Sequence, residues 1–199
     1  MILFRDGVEV QRGPRIAVTE CFGCAQKASY VLVCLDGGEA SFDIDIACEG
    51  ADVSLKGLYV LSGEDDLSIK VNLKHSAGGS VSNQVFRGVM DGRSKALFDG
   101  RIVVAPDAQG TEAYQNCRNI LLSEEAVAQS LPQLEIYADD VKCSHGATCG
   151  SLDEDEQFYM RSRGITLEEA RRLQIISFLS PVLSEIPEEI CRSVIQTLR

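Results

Sequence analysis

Apolar and polar side chains alternate with a period of two along most of the chain before residue 140. Phe42, Ile44 and Ile46 alternate with Ser41, Asp43 and Asp45, and Leu67, Ile69, Val71 and Leu73 alternate with Ser68, Lys70, Asn72 and Lys74. Such alternation puts one set on a buried face of a strand and the other in solvent. Val53, Leu55, Tyr59 and Leu61 continue the pattern across Gly57. Val81 with Val85, Ile102 with Val104, and Leu134, Ile136 and Ala138 extend it. Turn residues separate the runs at Asp36-Gly37-Gly38, Glu49-Gly50, Ser62-Gly63, Gly78-Gly79 and Asp91-Gly92. Glycine accepts positive φ, and Asp closes turns with its side chain. Strands recur about every 12 to 16 residues, with no amphipathic helix before about residue 121, so a β-sandwich or a β-solenoid is predicted. Three segments resemble one another: Val53 to Val60, Gln84 to Met90 and Lys95 to Val104 each flank a polar-Gly step with apolar residues. Stacked rungs would produce that likeness, which favours the solenoid.

The pattern changes after Gly150. Residues 153–156 are all acidic, Arg161 and Arg163 follow, and Gly164 comes next. Acids at the start and arginines at the end complement a helix dipole, so this charge run reads as a solvated helix. Thr166-Leu-Glu-Glu169 is a capping box. The helix it opens carries Leu173, Ile176, Leu179 and Leu183 at spacings of three or four. Pro181 is expected to kink or end it, and Pro187 suits the first turn of a last helix. The division expected is a β core over 1–150 and a small helical domain over 151–199.

Composition narrows the function. The chain has 199 residues, 30 acidic against 19 basic, and a net charge of -11. Phosphate neutralisation needs a cationic excess, so nucleic acid is excluded as a partner. At 45% hydrophobic and 25% charged the chain is globular rather than disordered. No stretch approaches the ~18 to 20 apolar residues of a membrane span, and the N-terminus is charged too early for a signal peptide. Eight cysteines without an export signal point to a reducing, cytoplasmic setting. Each thiol taken singly reads as a small buried core residue.

Only two histidines are present. His75, at a strand end before Ser76-Ala77-Gly78-Gly79, reads as an exposed or capping side chain. His145 lies between Cys143 and Cys149, and in an extended segment Cys143 and His145 share a face. Imidazole and thiolate together suit soft or borderline metals and iron–sulfur clusters. Two donors leave the set incomplete, so the others would come from elsewhere or from another chain. The chain has no Walker lysine motif, dinucleotide fingerprint or nucleophile elbow.

Four segments carry a resemblance to a known family. They are Phe98 to Val104, Asn119-Ile-Leu-Leu-Ser123, Pro132 through Thr148, and Gln157 to Ile165. In their order and spacing they resemble the SufB/SufD family of iron–sulfur cluster assembly scaffolds, continuously from about residue 65. The resemblance implies a right-handed parallel β-helix followed by a C-terminal helical domain. Family members carry a further N-terminal helical region without a counterpart in this sequence. No cysteine lies near Ala126, and His145 is flanked by Ser144 and Gly146 rather than glutamates; both features are similar to SufD-like members. By that resemblance His145 and Cys143 would hold iron or a transient iron–sulfur cluster at an interface with a SufB-like subunit, which completes the ligand set. The isolated chain would hold none. The C-terminal helices would dock a SufC-like ATPase, whose closure on ATP opens the interface. Cys149 receives no role, and Cys21 and Cys24 read as structural. The implied protein is a non-enzymatic scaffold. The alternatives are a carbohydrate-active β-solenoid, which needs paired carboxylates or a basic groove, and a structural homodimer.

Overall fold

The computed structural model describes residues 1–198. Twelve strands precede three helices: β1 Ile2–Arg5, β2 Val8–Arg12, β3 Arg15–Phe22, β4 Lys27–Cys34, β5 Gly38–Ile46, β6 Asp52–Leu61, β7 Asp66–His75, β8 Val81–Met90, β9 Lys95–Val104, β10 Thr111–Leu121, β11 Val127–Ile136 and β12 Val141–Gly150, then α1 Glu154–Ser162, α2 Leu167–Leu183 and α3 Glu188–Thr197. From β3 onwards alternate strands fall in alternate sheets. One sheet runs β12-β10-β8-β6-β4-β1-β2, the other β11-β9-β7-β5-β3. From β3 onwards every pairing is parallel, whereas β1 is antiparallel to both β2 and β4. The result is a parallel β-solenoid of about four turns, as the strand spacing and the family resemblance predicted.

The alternation explains the interior. Phe42, Ile44, Leu55, Leu67, Ile69, Val71, Leu73, Phe86 and Phe98 point inward and form one buried cluster. Each contributes about 1.5 to 3 kcal/mol by leaving water. The Phe86 and Phe98 rings meet across the two sheets with centroids 4.6 Å apart. Glycines make room for rings on neighbouring rungs. Gly57 pairs with Phe86, and Gly88 pairs with Tyr59. A Cβ on either glycine would run into that ring. The likeness between Val53–Val60 and Gln84–Met90 therefore differs from a simple repeat. Their glycines sit two positions out of register, each opposite the other strand's aromatic residue, and the third segment belongs to the other sheet.

His75 corrects one expectation. It shares the parity of Leu73 and continues the inward row of β7, so it is fully buried rather than exposed. Its Nδ1 lies 2.7 Å from Ser80 Oγ and its Nε2 2.8 Å from Ser82 Oγ. Burial pushes its pKa down to about 4, with Asp45 opposing weakly. The folded value lies below the ordinary value near 6.5, so this contribution to stability is complete above about pH 6.5 and is lost as pH falls towards 4. Urea unfolding near pH 7.5 and near pH 5 should show the parent chain losing about 2 kcal/mol more than His75→Gln. Equal losses would refute the assignment.

A second apolar layer covers the outer face of the larger sheet. Phe4, Val31, Val33, Leu58 and Val89 bury against Ile175, Leu179, Val182, Leu183, Ile186 and Val194. Side chains cap the first two helices, and at Thr166 the backbone-to-hydroxyl half of the expected capping box forms. Asp153 Oδ1 accepts from Glu156 N at 2.9 Å, and Thr166 Oγ1 accepts from Glu169 N at 3.2 Å. The buried stripe of α2 is shifted from the predicted one: Leu179 and Leu183 face the sheet, while Leu173 is exposed and Ile175 takes an inner place. Pro181 lies within α2, two residues before its end. It cannot donate to the Ser177 carbonyl, which instead accepts from Ser180 Oγ at 2.8 Å. Pro187 caps α3 from just outside it.

Candidate functional site

β12 and β11 are the edge strands at the same end of the solenoid, one in each sheet. In β12 the inward row reads Val141, Cys143, His145, Ala147 and Cys149. Register fixes this, because these residues pair with Thr111, Ala113, Gln115, Cys117 and Asn119 of β10, all of them buried. The side chains of β12 thus stack over the solenoid interior with no further rung above them. Cys143 is half-buried against the small cluster of Ile102, Val104, Ala108, Ala113 and Ala138, and His145 is exposed. Burial pushes the Cys143 thiol pKa up, opposed by a backbone hydrogen bond with Ala113. A thiol held protonated binds metal only by releasing its proton, so loading at Cys143 would be coupled to proton loss.

The two predicted donors therefore share one row, two residues apart, at an open end. Among the described residues no three His, Cys, Asp or Glu side chains are gathered to hold a metal ion. The row is an open edge rather than a closed cage. The same end is apolar on its β11 side, where Val127, Leu131, Ile136 and Tyr137 are exposed. Outward rows hold paired charges: Arg101 meets Glu135 through two hydrogen bonds of 2.8 and 2.9 Å, and Lys142 Nζ meets Glu112 Oε1 at 2.7 Å. An edge strand also presents unpaired backbone donors and acceptors, a template for another chain.

Sequence reasoning missed the polar interior beneath this row. Tyr59 Oη donates to Asn119 Oδ1, and Cys117 Sγ lies 3.5 Å from Ser130 Oγ. Gln115 Nε2 donates to Gln84 Oε1 at 2.8 Å. The face read for β8 is corrected: Val81 and Val85 lie on its outward row, and Ser82, Gln84 and Phe86 point inward. The parity of Gln84 with Phe86, and of Gln115 and Asn119 with Ala113 and Cys117, carried the signal. The reading of the thiols as core residues holds for Cys34 and Cys117 alone. Cys21, Cys24 and Cys149 are exposed, and Cys48, Cys143 and Cys191 are half-buried. Cys24 and Cys48 sit at solenoid corners, Cys21 on the outward row of β3, Cys143 and Cys149 on the last rung, and Cys191 at the margin of the helix-sheet layer. A second surface lies on the helices. Phe158 and Tyr159 on α1 are 72% and 61% exposed, side by side, and no helix among the described residues is long and apolar enough to cross a membrane.

A family model described as "SUF system FeS cluster assembly, SufBD core domain" matches residues 19–178. The chain is 39% identical over 141 residues to the iron–sulfur cluster assembly SufBD family protein slr0076 of Synechocystis, covering 70% of this chain and 31% of that protein. It is 39% identical over 117 residues to the iron–sulfur cluster assembly protein SufD of Escherichia coli, covering 59% and 28%. With SufD of Bacillus subtilis it shares 34% over 141 residues, covering 71% and 32%. The matched region spans about a third or less of each of these relatives.

Proposed function

The chain belongs to the SufB/SufD family of iron–sulfur cluster assembly proteins, as a SufD-like member, and on that premise we propose that it is a non-enzymatic scaffold subunit that shares a nascent cluster with a SufB-like partner. One observation carries the proposal: Cys143 and His145 stand on the inward row of an uncovered edge strand, with no third His, Cys, Asp or Glu gathered beside them among the described residues. A partner that pairs with β12 and β11 would extend both sheets. It would bury Leu131, Ile136 and Tyr137 and bring its own donors beside His145. Iron or the cluster is cargo in this scheme, and a transient one.

The roles divide along the chain, with residues 1–150 forming the scaffold and 151–199 receiving a SufC-like ATPase. The exposed Phe158 and Tyr159 suit that docking, since interface hot spots favour aromatic side chains. ATP-driven closure of the ATPase would pull on the helices, and these bear directly on β6 and β8 through α2. Such a subunit works in the cytoplasm, with no nucleic acid or membrane partner. The open edge also suits a second copy of the chain, so a homodimer forms when the partner is absent.

Co-expression with SufB-like and SufC-like subunits tests the proposal. All three are expected to co-elute on size exclusion. Phe158→Ala with Tyr159→Ala should weaken ATPase retention at least about tenfold, while the SufB-like subunit stays bound. Failure of the intact chain to bind either subunit would overturn the assignment of partners.

A further inference from the structure

Beneath His145 the interior holds one column in register: Leu55 on β6, Gln84 on β8, Gln115 on β10 and His145 on β12. Both glutamines are removed from solvent, at 0% and 2% exposure. A carboxamide carries an acceptor and a donor on opposite sides of one plane. Gln115 turns its donor inward, to Gln84 Oε1 at 2.8 Å. Gln115 Oε1 is left without a partner, although it too is shut off from solvent. Gly100 on the facing sheet leaves space for this amide, since a Cβ there would stand 2.5 Å from Gln115 Nε2. At the inner end of the column Gln84 Nε2 is also unpaired, and its neighbour Leu55 has nothing to offer.

An unpaired buried acceptor is costly, and native structures rarely leave one. Adjacent rungs lie about 4.8 Å apart, so the next side chain along the column is within reach. That side chain is the imidazole of His145, which in its neutral form has one N–H and one lone pair. We propose that Gln115 is a positioning residue whose Oε1 accepts the imidazole N–H of His145, fixing its tautomer and turning the other nitrogen's lone pair towards the open end. The Gln84–Gln115–His145 ladder then orients a metal ligand from behind, as a second hydrogen-bonding partner does for ligating histidines generally. Its use in cluster binding rests on the function proposed above, whereas the hydrogen bond itself does not.

Imidazole ¹⁵N shifts of the full chain near pH 7.5 test this directly, because only two histidines contribute. His75, held between two serine hydroxyls, is the internal control. His145 is expected to show one dominant tautomer, with its two nitrogen shifts widely separated. In Gln115→Met that separation should fall to less than half, with His75 unmoved. Because this change strands Gln84 Oε1, Gln84→Met/Gln115→Met is measured beside it; it removes both amides and should give the same collapse. Gln115→Glu keeps an acceptor and should keep one tautomer. Averaged shifts for His145 in the parent chain would overturn the proposal, as would a single tautomer surviving in both methionine substitutions. In the assembled complex loaded with Fe(II), Gln115→Met should retain about tenfold less iron. If His145→Ala retains iron fully, the ligand reading fails while the tautomer result stands.

Discussion

Replacing His145 with alanine is expected to lower cluster transfer by the assembled complex at least about tenfold, the scale on which losses around metal ligands fall, while the chain itself stays folded. The two halves of this result have separate causes. His145 is exposed on the last rung and belongs to none of the three buried clusters, so removing its ring opens no cavity. Its role in the proposed scheme lies with a ligand set shared between chains. Activation of an apo target protein by the purified complex is one readout, and thermal unfolding of the isolated variant is the other. Full transfer by a correctly assembled His145→Ala complex would end the ligand proposal. Cys143→Ser is a less clean probe, because Cys143 also packs against the buried cluster that includes Ile102 and Val104.

The largest effect on stability should come from Leu58→Asp. Leu58 lies on the outward row of β6, fully buried beneath the helices with Val33, Val89, Leu179 and Val182. An aspartate there would be a carboxylate sealed from water. The cation in register beside it, Arg87 on β8, already bonds Phe86 O and Asn116 Oδ1, so the change costs more than about 4 kcal/mol. Against a typical total of about 5 to 15 kcal/mol, that would leave much of the chain unfolded or insoluble. Leu58→Ala, which only opens a cavity, should cost about 2 to 5 kcal/mol. Urea titration of both variants checks the prediction, and a Leu58→Asp chain as stable as the alanine variant would show that the helices leave this face readily.

These contrasts show what was legible in advance. Alternation reads out β5 to β9 and β11 but not β1 to β4 or β10, and corners are marked by glycine, mostly beside Asp, Glu or Ser. The shared row of Cys143 and His145 needed only the period of two. His75 was misplaced because its neighbouring glycines suggested an exposed turn, although its parity with Leu73 already pointed inward. The Gln84–Gln115–His145 column was out of reach for another reason. Its members lie about thirty residues apart, and which residue stacks on which depends on the length of every intervening corner. The Gly57–Phe86 and Gly88–Tyr59 complements are hidden by the same dependence. The exposed thiols escaped because a cysteine's burial follows from the place of its rung, and local composition does not report that place.

The empty place at Gly88 has a consequence for how the molecule unfolds. A solenoid whose turns touch only their immediate neighbours behaves as a one-dimensional chain of units and can fray from either end. Here the Tyr59 side chain passes the β8 rung at Gly88 and bonds Asn119 on β10, joining units two steps apart. Opening the β10 unit must then break a tie anchored on β6, so the distal turns are coupled beyond nearest neighbours. Their melting is drawn into one cooperative event, and the rung that carries His145 rests on a foundation that gives way all at once or not at all.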